Sequence, residues 1–183
     1  MFDMFFPDAY VASTYVIDFE KLYGKGYRGL IFDIDNTLVP HGAPADARAV
    51  ALFARLKAIG FRCCLISNNQ EPRVKMFNQD IRVSYIYDAH KPAAKNYKKA
   101  MEMMGTDVRN TVFVGDQLFT DIWGARRAGI SSILVKPIYP KEEIQIVLKR
   151  YLEKIVLYFY RRSKKAPKDR MCEKGVEKRQ NLL

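Results

Sequence analysis

Two carboxylates spaced i, i+2 and then a hydroxyl, Asp33, Asp35 and Thr37, follow directly on the apolar run Leu30-Ile31-Phe32. Side chains two positions apart in an extended segment point the same way, so Asp33 and Asp35 are expected to share one small volume. Carboxylates held that close repel, unless a cation neutralises them or they divide into an acid and a base. Asp-Asn is also common turn material, which leaves an ordinary loop open on this string alone. Three further polar groups stand beyond later segments: Ser67-Asn68-Asn69, Lys91-Pro92, and Gly115-Asp116 with Asp121. Taken singly they read as a helix cap, a surface lysine and a turn. Their order, and their placement at the ends of successive strand-like segments, argue against coincidence.

An apolar run bounded by polar residues suits a strand buried on both faces of a parallel sheet. Asp33 then falls at the carboxyl end of that strand, where open α/β sheets place their ligands. The pattern repeats along the chain. A turn-rich loop, Val39-Pro40-His41-Gly42-Ala43-Pro44, precedes a helix expected over 46–59, with Val50, Phe53 and Leu56 on one face. Phe61–Ile66 predicts a second buried strand, Val83–Ile86 a short third, Thr111–Val114 a fourth and Ile133–Val135 a fifth. Helices are predicted over 93–104 and 121–128. Strands alternating with helices predict about five parallel strands covered on both sides. Residues 1–29 mix aromatics with acids and hold one short helix, Asp18–Tyr23. They are expected to cover an edge or face of the sheet without contributing chemistry.

With 183 residues and 49% apolar side chains, the chain is the size of one globular domain. No window approaches the ~20 apolar residues of a membrane span. The first residues carry acids where an export signal needs basic ones, so a cytoplasmic location is expected. The three cysteines lack metal-ligand spacing: Cys63 and Cys64 read as core, Cys172 as part of the tail. Charge is uneven, because residues 161–183 carry nine Lys/Arg against three Asp/Glu. Such a tail attracts polyanions, nucleic acid and anionic lipid alike. It is expected to be disordered from about 163. Before it, a helix is predicted from 141 to about 162. Its last turns, Ile155–Tyr160, are apolar on every side, which suits packing on the domain, pairing with a second copy, or lying in a membrane interface.

The assembled strings resemble the four motifs of the haloacid dehalogenase (HAD) superfamily. Those strings are Leu30-Ile31-Phe32-Asp33-Ile34-Asp35-Asn36-Thr37-Leu38-Val39, Ile66-Ser67-Asn68-Asn69 with Arg73-Val74, Lys91-Pro92, and Gly115-Asp116-Gln117-Leu118-Phe119-Thr120-Asp121. Residues 7–140 resemble the IIIA subfamily of YqeG type, related to mitochondrial phosphatidylglycerophosphate phosphatases, and the likeness fades after about 150. It implies a Rossmannoid three-layer α/β sandwich and a phosphatase. Asp33 would be the nucleophile that takes up the phosphoryl group. Asp35 would protonate the leaving oxygen and then deprotonate the attacking water. Mg²⁺ would be held by Asp33, Asp116 and the backbone carbonyl of Asp35, with Asp121 in support. Ser67, Asn68 and Lys91 would bind the phosphate, Lys91 neutralising its charge. Asp35 separates a phosphatase from dehalogenases, which have no leaving oxygen to protonate.

Spacing bears on substrate. Only 31 residues separate Asp35 from Ser67 and 23 separate Ser67 from Lys91, leaving no room for an inserted cap domain. The site is therefore expected to be open, and lidless relatives tend to act on large substrates. A phospholipid headgroup such as that of phosphatidylglycerophosphate is favoured. The helix and basic tail would then give peripheral association with the inner face of an anionic membrane. The alternatives are a protein or small-molecule phosphatase, or a binding protein on the same scaffold whose tail grips RNA or a ribosomal particle. The tail lacks stacking aromatics, which weakens the nucleic-acid reading.

Overall fold

All four residues of the strand that leads to Asp33, β2 (Gly29–Phe32), are buried, as an apolar run inside a parallel sheet must be. A computed structural model of the chain describes residues 3–139, 144–165 and 182. It holds six parallel strands: β1 (Ala9–Val11), β2, β3 (Arg62–Ile66), β4 (Ser84–Ile86), β5 (Thr111–Gly115) and β6 (Ser131–Val135). They lie in the order β1-β6-β5-β2-β3-β4. The chain moves outward from β2 through β3 to β4, then crosses to β5 on β2's other side. The point of reversal thus lies between β2 and β5, where ligands gather in such sheets.

The strand that sequence reasoning missed is β1. Three residues are too few for a period-two signal, and Pro7-Asp8 in front reads as a turn. Pairing is imposed from outside: Asp8 N donates to Ser132 O (3.0 Å), and Ser132 N donates to Asp8 Oδ2 (2.8 Å). The N-terminal segment thereby covers the sheet edge, as expected, by extending the sheet.

Alternation sends Leu30, Phe32, Leu65, Val112, Val114, Ile133 and Val135 to one face. There they meet Phe19 and Leu22 of α1 (Phe19–Gly24), Phe53 and Leu56 of α2 (Ala47–Ile59), and Val74 and Phe77 of α3 (Glu71–Asn78). Ile31, Cys64, Ile66 and Phe113 face the other way, onto Tyr97, Ala100 and Met101 of α4 (Ala94–Met104) and Ala125 of α5 (Trp123–Ala128). Helix, sheet, helix is the three-layer arrangement anticipated. Each large apolar side chain fully withdrawn from water contributes about 1.5–3 kcal/mol. Cys63 and Cys64 belong to these layers, and burial pushes both thiols up to about 12, leaving them inert.

Helix ends follow local chemistry. Asp46 accepts from Ala49 N (2.7 Å) at the start of α2, and Gly60, at φ 106°, closes it. Its buried stripe is Ala49, Leu52, Phe53 and Leu56; Val50 lies only half-buried beside it. The helix expected over 121–128 starts earlier, with a π-helical turn at Leu118–Ile122 that runs into α5. The last helix, α6 (Ile144–Lys165), extends past the predicted end near 162 into the basic segment. Most of the predicted disordered tail, residues 166–181 with Cys172, lies outside the described residues.

Helix α6 packs beside the π-turn on the side of α4 and α5. Val156 joins Leu118, Ile122 and Leu134 in an apolar cluster, and Glu153 Oε1 accepts from Leu118 N (2.8 Å). Tyr160 stacks edge-on against Phe6, which leads into the start of β1. Leu118 lies at the carboxyl end of the sheet and Phe6 at the amino end, so α6 runs antiparallel to the strands.

One close approach is set by a glycine. A Cβ on Gly124 of α5 would stand 2.3 Å from the Tyr97 hydroxyl and 2.5 Å from its ring carbon Cζ. Tyr97 is fully buried, and its hydroxyl donates to Thr120 O (3.1 Å) or Asp121 O (3.3 Å), bracing the turn that carries Asp121. Gly124→Ala should therefore destabilise the fold by about 1–3 kcal/mol, as overpacking does. Urea denaturation should show a lower midpoint at an unchanged slope, and an unaltered midpoint would mean that Tyr97 is free to move aside.

Candidate active site

Parallel strands deliver their loops to one edge. Asp33 leaves β2 and its N–H donates to Val114 O of β5 (3.0 Å), which sets it beside the Gly115-Asp116 turn. A Cβ on Gly115 would lie 2.5 Å from Asp121 Oδ2, so only glycine lets Asp121 come this close. The π-turn is itself closed by Gln117 N donating to Asp121 Oδ2 (3.1 Å). Asp33, Asp116 and Asp121, all buried, offer carboxylate oxygens within 4.8 Å of one another.

Lys91 enters this group from beyond β4. Its Nζ donates to Asp33 Oδ1 (2.5 Å) and Asp121 Oδ1 (2.7 Å) with only 4% of its side chain exposed. The loop that presents it bends through two left-handed residues, Asp88 (φ 46°) and His90 (φ 50°), at a backbone cost of order 1 kcal/mol each. Asn68 pins that loop: its Oδ1 accepts from Lys91 N (2.7 Å) and its Nδ2 donates to Lys91 O (3.4 Å). The Asn68 side-chain amide is thus taken up by the lysine backbone, which leaves its own backbone for the phosphate contact expected of this residue. Ser67 is buried next to it, its hydroxyl oxygen accepting from Asn69 N (3.1 Å).

Thr37 completes the inner group. Its hydroxyl is shared between Asp33 Oδ2 (3.4 Å) and Asp116 Oδ1 (3.3 Å). The loop around it is braced from the segment to which no chemistry was assigned: Thr14 Oγ1 donates to Thr37 O (2.8 Å) and Tyr15 Oη to Leu38 O (2.7 Å). Asn36 (φ 61°) turns the loop, and its carbonyl accepts from Ile138 N (3.0 Å), beyond β6.

Asp33 and Asp35 do not face the same partners. Asp35 is turned away from the carboxylate group. Its Oδ1 accepts from Arg73 Nη2 (2.8 Å) and Gly42 N (2.8 Å), and its Oδ2 accepts from Asn69 Nδ2 (2.7 Å). The strand ends at Phe32, and Asp35 instead opens a turn closed by its bridge to Val39, which strict i, i+2 geometry does not anticipate. Arg73 and Asn69 were not among the expected site residues. A signal for Arg73 existed: it is a cation in the first turn of α3, where the helix dipole disfavours one.

The electrostatics follow from burial. Loss of water pushes the Asp33 carboxyl up to about 7; Lys91 pulls against this, while Asp121 and Asp35 add to it. Burial alone would lower the Lys91 ammonium, but Asp121 and Asp33 outweigh it and hold lysine charged. One ammonium stands among three buried carboxylates, and opposed unit charges 4 Å apart interact by about 4 kcal/mol at an effective dielectric of 20. An all-oxygen, acid-rich group of this kind fits a hard divalent cation.

A parallel sheet with acids at the ends of its two central strands and a lysine reaching in from a third loop is the architecture of the HAD-like hydrolases. A family model for HAD-hydrolase-like proteins matches residues 89–138. The probable phosphatase YqeG of Bacillus subtilis is 36% identical over 154 residues, covering 84% of this chain and 90% of its own. The chain belongs to this YqeG family of HAD-like phosphatases, and it is an enzyme of the phosphatase class. Phosphatidylglycerophosphate phosphatase 1 of Arabidopsis thaliana, chloroplastic/mitochondrial, is 28% identical over 168 residues, 81% of this chain and 48% of that protein. In fold, an uncharacterized protein of Corynebacterium glutamicum gives a TM-score of 0.51 at 23% identity, over 73% of this chain and 96% of that one.

Burial makes Asp33 hold its proton more tightly in the folded chain than in the unfolded one. The unfolded chain releases this proton near pH 4, whereas the folded, metal-free chain keeps it to about pH 7. Stability from this group is full below pH 4 and is lost as pH rises through about 7. A cation competes with that proton. In EDTA the Tm should fall between pH 5 and pH 8, and the increment on adding Mg²⁺ should be larger at pH 8 than at pH 5. Asp33→Asn should remove the contrast. An equal increment at both pH values in the unmodified chain would take Asp33 out of the cation site.

Proposed function

We propose that the protein is a Mg²⁺-dependent phosphomonoesterase that works through an aspartyl-phosphate on Asp33. Its favoured substrate is a phosphate on a phospholipid headgroup such as that of phosphatidylglycerophosphate. The observation that carries the chemistry is Asp33 at the carboxyl end of β2, bonded to a buried lysine and grouped with Asp116 and Asp121. Asp33, the Asp35 carbonyl and Asp116 would hold Mg²⁺, with Asp121 in support. Such an ion screens phosphate oxygens from the carboxylates.

An Asp33 carboxylate oxygen attacks phosphorus, and the bond from phosphorus to the leaving oxygen breaks. The protonated Asp35 carboxyl gives its proton to that oxygen. Water then attacks the same phosphorus, passing a proton to Asp35, and the Asp33–phosphorus bond breaks to release phosphate. Lys91 and the Ser67 hydroxyl bind the phosphoryl oxygens, with the backbone of Asn68 rather than its amide. The connections at which relatives insert a cap are short here: β2 to α2 is residues 33–46 and β3 to α3 is residues 67–70. Neither has room for an inserted domain, which suits a bulky substrate held at a surface.

Support for a lipid comes from the Arabidopsis relative's name and from α6. Val156 and Tyr160 point inward, while Ile155 and Tyr158 are 44% and 58% exposed. Arg161 and Arg162 are exposed directly after them, and cations near an anionic surface contribute about 1 kcal/mol each. Among the described residues no helix is long and apolar enough to cross a membrane. The outer face of α6 is therefore suited to lie in the headgroup region of an anionic inner leaflet.

Purified protein should hydrolyse an aryl phosphate, lose that activity in EDTA and regain it with Mg²⁺. Asp33→Asn should abolish turnover, because an amide is a very poor nucleophile; retained activity would sink the covalent route. For substrate, phosphate release from phosphatidylglycerophosphate in anionic vesicles should far exceed release from soluble sugar phosphates. Ile155→Ser with Tyr158→Ser should weaken sedimentation with those vesicles while leaving aryl phosphate hydrolysis intact. Equal rates on both substrates, or no vesicle binding, would favour a soluble or protein substrate. Truncation before α6 is a poor test, because it would uncover Leu118, Ile122 and Leu134.

A further inference from the structure

We infer that Arg73 is a positioning residue for the reaction, acting through Asp35 rather than on the substrate, with Asn69 as its partner. The inference rests on the acid–base role proposed for Asp35. That carboxylate accepts three hydrogen bonds, from Arg73 Nη2 and Gly42 N on one oxygen and Asn69 Nδ2 on the other, while exposed His41 stands farther off, its Nδ1 3.8 Å from Oδ1. Gly42 belongs to its own loop, whereas Arg73 and Asn69 come from the connection after β3 and the first turn of α3. Asp35 is therefore oriented by a second, separately anchored piece of the fold.

The arrangement is costly for Arg73. Its guanidinium stands in a first helical turn against the helix dipole, with 14% of the side chain exposed. Nε and Nη1 are buried and have no hydrogen-bond partner. A buried donor left unsatisfied opposes folding, so stability does not account for this placement. Phe77, one turn on in α3 and fully buried, lies beneath the guanidinium at 5.9 Å and limits its freedom. Asn69 is equally fixed, its N–H donating to Ser67 Oγ (3.1 Å) and its carbonyl accepting from Asp88 N (2.9 Å).

This geometry has a chemical consequence. A carboxylate that accepts from three donors is fixed in one orientation, and a base that activates water must be held in this way. Among the described residues Oδ2 accepts only from Asn69, so its remaining lone pair is where Asp35 can carry the transferred proton without giving up a donor. Arg73 and Asn69 thus hold the carboxylate in one orientation through both half-reactions.

The test is a double-mutant cycle on an alkyl phosphomonoester, reading kcat and KM separately. Arg73→Met should lower kcat at least tenfold with KM changed less than threefold, and Arg73→Lys should recover part of the loss. In an Asp35→Asn background, Arg73→Met should cost less than a further twofold, since the group it positions is gone. Asn69→Leu should show the same dependence on Asp35, and it covers the case in which Arg73→Met fails to fold. If the losses from Arg73 and Asp35 multiply, or if KM carries the effect, Arg73 acts on the substrate and the inference is wrong while the acid–base reading stands. If Asp35→Asn alone leaves turnover unchanged, the acid–base reading fails and the inference with it.

Discussion

A lysine ammonium held between two buried carboxylates is the contact on which the rest of this molecule turns. Lys91 joins Asp33, at the end of the central strand, to Asp121, in the π-turn after β5. Neither acid is stable in its buried place without a cation near it, and the lysine has no reason to be buried without them. Much of the nearby structure keeps this group in register. Asn68 clamps the lysine backbone, Tyr97 braces the π-turn, and Gly115 leaves the space that Asp121 fills. The strained backbone at Asp88 and His90 is what such a fixed presentation costs.

The two acids of the first loop are kept apart by their partners. Asp33 faces a buried lysine and further acids, which suits attack on phosphorus and contact with a cation. Asp35 faces donors from its own loop, from the connection after β3 and from α3, which fix it for proton transfer. Identical side chains two residues apart thus take different roles because different pieces of the fold reach them.

The periphery serves the edge of the sheet. The segment at Thr14 and Tyr15 holds the first loop from behind, and the residues after β6 tie to Asn36 from the other side. Helix α6 satisfies the Leu118 N–H at the start of the π-turn through Glu153 and covers Leu118 and Ile122. The same helix presents Ile155 and Tyr158 outward beside two arginines, so one element both supports the site and offers a contact face.

The sequence alone determined the layer architecture, the strands β2 to β6 and the edge at which Asp33, Ser67, Lys91, Asp116 and Asp121 meet. That was legible because a parallel sheet converts the order of apolar runs into a shared edge, and each polar group follows its run directly. Tertiary structure decided what depends on pieces distant in sequence. β1 is a strand only because β6 offers it an edge and Asp8 finds Ser132. The Asn68 amide is committed to the Lys91 backbone because the loop of Lys91 lies beside it. Arg73 meets Asp35 across 38 positions, and nothing local to either residue encodes that pairing. The faces of α6 were likewise ambiguous, since a turn that is apolar all round has no periodicity to read. Only the cluster of Leu118, Ile122 and Leu134 chose Val156 for the inside.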